Sequence, residues 1–189
     1  MTKKIYTKTG DKGETGTMRG RMSKSDQLAA AIGSIDELNS WIGAVRFFIS
    51  PSSIPPLKLR GGKGGDIESE LKQIQNNIFV IGSILAGSKK HKFRSSETTR
   101  LERLIDKLEA KLPKINNFVY PIGYVQVARS VVRRCERAVV SYQLSVTSGV
   151  EQLDNILKYL NRLSDALFVM ARWVNLQSKI PEEVWRQNR

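Results

Sequence analysis

From Gln27 onward the chain keeps one rhythm. Apolar residues at Leu28, Ala31, Ile32, Ile35, Leu38, Ile42 and Val45 recur at gaps of three and four, the period of a helix with one buried face. Ser25 and Asp26 offer an N-cap ahead of this run, and Ser50-Pro51 stops it. The rhythm returns over residues 67–86, with Leu71, Ile74, Ile78, Ile81 and Leu85 on the stripe. It returns again from Ser96-Glu97 to a stop at Pro113, and then over residues 125–142. The longest run covers residues 151–177, with Leu153, Ile156, Leu157, Leu160, Leu163, Leu167, Met170 and Val174 in line, and Pro181 closes it. Alternation of period two is nearly absent, and residues 4–8 are the one short strand candidate. Five amphipathic helices with short connections predict an all-α five-helix bundle over residues 26–180. An N-terminal loop of residues 1–25 precedes it, and the 189 residues read as one domain. Residues 51–66, PSSIPPLKLRGGKGGD, interrupt the rhythm as a flexible linker. Their GGKGG lacks the G-x-x-x-x-G-K-[ST] frame of a phosphate loop.

Composition narrows the chemistry. Forty per cent apolar residues suffice for a real core. No apolar run approaches the roughly 20 residues of a membrane span. The opening MTKKIYTKTG has no apolar stretch of signal-peptide type, so the expected compartment is the cytoplasm. Cys135 is the only cysteine, so an intrachain disulfide is excluded. His91 is the only histidine and reads as a solvated loop residue in GSKKHKFRSSE. These two counts remove the usual His/Cys zinc sites, and any Ser-His-Asp triad would have to use His91. Chemistry in this chain is therefore expected to depend on neither imidazole nor thiolate.

The formal charge of +13 points to a polyanionic partner only if the charge is placed with geometry. The fourth helix supplies that geometry in VARSVVRRCERAVV. Arg129, Arg133 and Arg137 fall on one face, Arg134 stands beside them, and Glu136 lies one turn beyond Arg133. Two readings are open: solvent and nearby acids such as Glu136 compensate the stacked charges, or a phosphate-bearing ligand does. On the fifth helix Asn161, Asp165, Phe168 and Arg172 share a face beside the apolar stripe. Asp36-Glu37 falls in an otherwise apolar stretch of the first helix, and a carboxylate there calls for a partner such as Arg129. The opening IYTKTGDKGETGT packs poorly in helix or strand. It reads as a flexible tail, a hairpin turn, or a nest of backbone amides for an anion, with Lys8, Lys12 and then Lys24 beside it.

Several segments together resemble one family. KIYTKTGDKGETG, GSIDELNSWIG, LKQIQNNIFVIGSILA, ARSVVRRCER and YLNRLSDALFVMARW stand in the order and spacing of ATP:cob(I)alamin adenosyltransferases of the propanediol-utilisation type. The resemblance covers almost the whole chain. It implies a homotrimer with active sites between subunits, and transfer of the 5′-deoxyadenosyl group of MgATP to the cobalt of reduced cobalamin. Thr7, Lys8, Thr9, Gly10, Asp11, Lys12, Gly13, Thr15 and Gly16 resemble the segment that wraps ATP. Lys24 resembles a triphosphate lysine, while Arg133, Arg134, Glu136 and Arg137 resemble the nucleotide-binding run and Asn161 an ATP-contacting asparagine. Asp36 and Arg129 resemble a pair that bridges subunits and shapes the corrinoid side. Phe118 resembles the aromatic that occupies the lower face of cobalt. By the same resemblance, magnesium comes with the phosphates rather than on a protein site, and cobalamin is a substrate.

That chemistry fits a chain with one histidine and one cysteine, because Co(I) is itself the nucleophile. The partners it implies are ATP, reduced cobalamin, a Co(II) reductase and an adenosylcobalamin-dependent enzyme, with no nucleic acid and no membrane. The sequence departs from the family after Phe118. FVYPIGYVQVAR is shorter by about one helical turn, Ile122 replaces a glycine, and Gln126 stands where histidine is common. Two alternatives stand beside the enzyme: a basic helical nucleic-acid-binding protein, and a carrier of ATP or adenosylcobalamin without efficient turnover.

Overall fold

The computed structural model describes residues 4–49, 64–146 and 152–186. These form a two-stranded hairpin, β1 (Glu14–Thr17) and β2 (Gly20–Ser23), followed by helices α1 (Gln27–Ile49), α2 (Gly64–Leu85), α3 (Ser96–Glu109), α4 (Tyr124–Ser145) and α5 (Leu153–Gln177). The bundle expected from periodicity is the bundle observed. The strand candidate at residues 4–8 is corrected: that stretch is irregular, and the strands lie later, pairing Glu14 with Ser23 and Thr17 with Gly20. The linker reading of residues 51–66 falls largely outside the described residues, although α2 already begins at Gly64.

Each helix starts and stops for a local reason. The Asp26 carboxylate accepts the Leu28 amide at 2.8 Å, capping α1. Helix α2 ends at Leu85, and Gly87 just beyond it, whose φ of +100° suits glycine, turns the chain away. A Cβ there would come within 2.6 Å of Arg19 Cγ, so the hairpin packs directly on this turn. One backbone bond, from the Met18 amide to the Ala86 carbonyl (3.0 Å), fixes it.

The core is one contiguous set of aliphatic stripes. Helix α1 packs on α2 and α4, and α5 packs on α3 and α4. Helix α5 is the most enclosed, with Leu153, Ile156, Tyr159, Leu160, Leu163 and Leu167 all buried. Most polar groups inside are partnered, the Asn39 Oδ1, Thr98 Oγ1 and Ser178 Oγ atoms being exceptions. Asn77 donates to the Tyr159 hydroxyl at 3.1 Å and to Glu97 at 2.9 Å, tying α2, α5 and α3 together. Cys135 is buried, and its thiol donates to the Ser34 carbonyl at 2.7 Å. Burial, with Glu37 nearby, pushes this thiol up to about 12.

Contacts along the helices fix the ends of the bundle. Phe48 stacks on Tyr124 at 4.1 Å, and Glu37 pairs with Arg134, so α1 and α4 run antiparallel. Gln143 meets Asp154 and Glu136 meets Asn161, so α4 and α5 do as well. The hairpin therefore lies at the end where α1 starts and α4 finishes. The segment before α4, with Phe118, lies at the other.

Candidate active site

The glycine-rich opening is built as a tight loop leading into the hairpin. Lys8 (φ +59°) and Gly13 (φ +79°) take left-handed conformations and reverse the chain. The Gly13 amide donates to the Gly10 carbonyl at 3.2 Å, and the Thr7 and Thr9 hydroxyls share a bond of 2.9 Å. Lys24 Nζ donates to the Gly10 carbonyl at 3.0 Å, and Arg21 donates to the Thr9 carbonyl and to Glu14. Thr7, Lys8, Thr9, Gly10, Asp11, Lys12, Gly13, Thr15, Gly16 and Lys24 are thus brought together at one end of the bundle. Of the three readings of the opening, the hairpin turn is realised, in residues 14–23. Nothing in the sequence pattern marks Arg21. Its place in the loop follows from the hairpin register, which sets it opposite Gly16.

The α4 arginines are exposed or half-buried along the outer face of that helix. Arg134 pairs with Glu37 of α1, and the Arg137 guanidinium bonds the Arg133 carbonyl at 3.1 Å. Among the described residues Arg129 donates to the neutral Gln126, at 2.7 Å. Among the described residues no carboxylate forms an ion pair with Arg129, Arg133 or Arg137. Glu136 forms no ion pair with the row among the described residues, and its carboxylate accepts Asn161 Nδ2 from α5 at 3.1 Å. Of the compensation by solvent, Glu136 and other acids weighed from the sequence, the structure shows one ion pair, between Glu37 and Arg134.

The expected partnership of Asp36 with Arg129 is also absent within one chain. Asp36 is exposed, since its position falls off the buried stripe of Ile35 and Leu38, and its neighbour Glu37 takes Arg134 instead.

At the far end a cavity of about 880 Å³ is lined by Ile115, Phe118, Val119, Arg129, Phe168 and Trp185, among others. Phe118 is 81% exposed, unusual for a phenylalanine, and meets Trp185 edge-on at 6.5 Å between ring centroids. The C-terminal residues come back to make this wall. Val119 bridges Val184, the Tyr120 amide donates to the Glu183 carbonyl at 2.9 Å, and the Trp185 amide donates to the Phe118 carbonyl at 2.8 Å. Trp185 was not readable as a site residue, because the residues after Pro181 show no periodicity. Phe118 and Arg129 share the cavity. Arg133, Arg134, Glu136, Arg137 and Asn161 share the adjoining face of α4 and α5. No hydrogen bond or ion pair among the described residues joins either group to the N-terminal loop of the same chain.

The fold is that of PduO-type ATP:corrinoid adenosyltransferases. The enzyme of that type from Lactobacillus reuteri, solved as a Phe-to-Ala variant complexed with cobalamin and ATP, matches with a TM-score of 0.82 and 31% identity, over 97% of this chain and 100% of that one. An Arg-to-Lys variant of the same enzyme, complexed with ATP, gives 0.81 at 32% identity, over 96% and 100%. In sequence the corrinoid adenosyltransferase of Bacillus subtilis is 38% identical, over 94% of this chain and 89% of that protein. The corrinoid adenosyltransferase MMAB of Bos taurus is 38% identical, over 98% and 77%. The cobalamin adenosyltransferase family model spans residues 5–174, and the chain belongs to that family.

Proposed function

We infer that this protein transfers the 5′-deoxyadenosyl group of ATP to the cobalt of a reduced corrinoid, releasing triphosphate. The observation that carries this reading is the set of Arg129, Arg133 and Arg137 on α4, which form no ion pair with a carboxylate among the described residues, beside the cavity of Phe118. Like charges stacked on one helix cost a few tenths of a kcal/mol per pair. A triphosphate compensates that cost through the guanidinium fork, in a way solvent does not.

The reaction needs no acid or base from the protein. The Co(I) electron pair forms the cobalt–carbon bond at C5′ while the C5′–oxygen bond breaks. Triphosphate leaves with that electron pair, and cobalt becomes formally Co(III). The protein's share is to hold C5′ in line with cobalt and to offset the charge of the leaving group. Arg133, Arg134, Arg137 and Lys24, with the amides of residues 7–16, hold the phosphates in this reading, and Asn161 contacts the nucleotide. Phe118 takes the lower face of the corrinoid, beside Arg129. Magnesium fits the phosphate side, where the half-buried Glu136 adds an oxygen donor among the cations. When bound, the metal neutralises charge on the leaving triphosphate.

We further propose that the site is completed between subunits of a homotrimer. Exposed Val127, Val140 and Leu144 flank Arg134 and Arg137 on the outer face of α4, and Phe47 and Phe48 continue it on α1. An apolar frame around a charged centre is what a second copy would cover. In this arrangement the Asp36 carboxylate faces Arg129 of a neighbour. No helix among the described residues is long and apolar enough to cross a membrane.

The test is anaerobic mixing of the protein with MgATP and chemically reduced cob(I)alamin, followed by absorbance. Appearance of adenosylcobalamin is the expected result. ATP binding without turnover would instead favour the carrier reading. No ATP binding at all would return the basic face to nucleic acid or solvent.

A further inference from the structure

Arg172 stands outside every contact assigned above, yet it is 5% exposed and therefore a buried charge. Its Nε donates to Glu182 Oε1 at 2.5 Å, and its Nη2 donates both to Glu182 Oε2 at 3.1 Å and to the Pro113 carbonyl at 2.7 Å. These two partners belong to the two strips of chain that wall the Phe118 cavity. Pro113 opens the segment that carries Ile115 and Phe118. Glu182 opens the C-terminal segment that carries Val184 and Trp185. On the same face of α5, one turn before Arg172, Phe168 lines the cavity itself. One turn after it, Asn175 Nδ2 donates to the Ile122 carbonyl at 3.3 Å. A buried guanidinium with a bidentate carboxylate is costly to place and strongly directional once placed. Here its direction serves the cavity walls, because it ties both strips to α5 at one point.

We propose that Arg172 and Glu182 are positioning residues for the corrinoid side of the site. They anchor the C-terminal and Phe118 segments, already joined to each other by backbone bonds, to α5, and so set where Phe118 and Trp185 stand against Phe168. This rests on the adenosyltransferase reading for the identity of the ligand, but the clamp itself is a property of the chain. Its action is on the walls, so it affects corrinoid handling and leaves the nucleotide face of α4 alone.

Glu182→Ala is the variant to make, since Glu182 is part-exposed and its loss leaves the α5 core filled. The expected result is a rise of roughly ten-fold in KM for the corrinoid, with KM for ATP changed by less than about two-fold. Glu182→Gln keeps an acceptor for the guanidinium, and its KM for the corrinoid should lie between those of the wild type and Glu182→Ala. Equal shifts in both KM values, or no shift in either, would overturn the proposal. A wild-type protein without turnover would defeat the functional reading and leave the clamp to be judged by amide exchange at Trp185 and Tyr120. Faster exchange at both in Glu182→Ala, with the α5 amides unchanged, supports the clamp, and unchanged exchange sinks it.

Discussion

Arg133 concentrates the functional argument at the scale of the residue. It is exposed, its guanidinium has no partner among the described residues, and it stands one turn from Arg129 and from Arg137. A side chain in that position contributes little to the fold, within about 0.5 kcal/mol. Arg133→Ala should therefore leave the melting temperature unchanged while lowering kcat/KM for ATP by roughly a hundred-fold or more. A variant with near wild-type turnover would remove Arg133 from the phosphate site. The position of this arginine was legible in the sequence because helical spacing alone puts Arg129, Arg133 and Arg137 on one face. What each arginine bonds was not legible. Glu37 and Gln126 take their partners by the antiparallel packing of α1 on α4 and by a turn of helix, and only the first of these required the fold.

At the scale of the element, the helices were readable because each must bury a stripe, and burial writes a period into the sequence. The hairpin was not. Its strands ETGT and GRMS are mostly exposed, so no alternation of apolar and polar residues marks them. What makes them strands is the reversal at Met18 and Arg19 and the docking on Ala86. The C-terminal segment escaped notice for the same reason, since its single bridge to Val119 is held by backbone bonds.

Packing between elements also sets a pH dependence. On α4 the Cys135 thiol is raised from 9.0 to about 12 by burial, and on α5 burial raises the Tyr159 phenol above 10.0. Both groups are neutral when protonated, and the fold favours that form. Stability is thus complete below the unfolded-state values and declines as pH rises past them. Thermal melting should be level near neutral pH and fall above about pH 9, and Tyr159→Phe should flatten the part of the fall above about pH 10. A melting temperature independent of pH up to 11 would contradict this account.

For the whole molecule, the decisive arrangement is the separation of parts. The glycine loop lies at the hairpin end, Phe118 and Trp185 lie at the other, and the arginines run between them with apolar residues on either side. Among the described residues of one copy, no hydrogen bond or ion pair joins the proposed corrinoid and nucleotide residues to the loop, which supports assembly of the proposed site between copies. Light scattering is expected to give the mass of three chains. Leu144→Asp places a charge in the apolar frame and should shift the mass towards one chain, with loss of turnover but not of helicity. A wild-type protein that scatters as a monomer while turning over would refute the trimer. The overall bundle was foreseeable from its periodicity, and the division of the site between its two ends was not, because that depends on which helices run antiparallel.

The buried thiol has a practical consequence. Cys135 is the chain's only cysteine, lies sealed against Ser34, and stays protonated at the pH where maleimides react. The native surface is therefore silent to thiol labels. A single Val184→Cys substitution, at an exposed position on the strip that carries Trp185, would take a fluorophore at one place only. If the corrinoid occupies the Phe118 cavity as proposed, the fluorophore's emission would then report each arrival and departure of that ligand in real time, without any background from the rest of the chain.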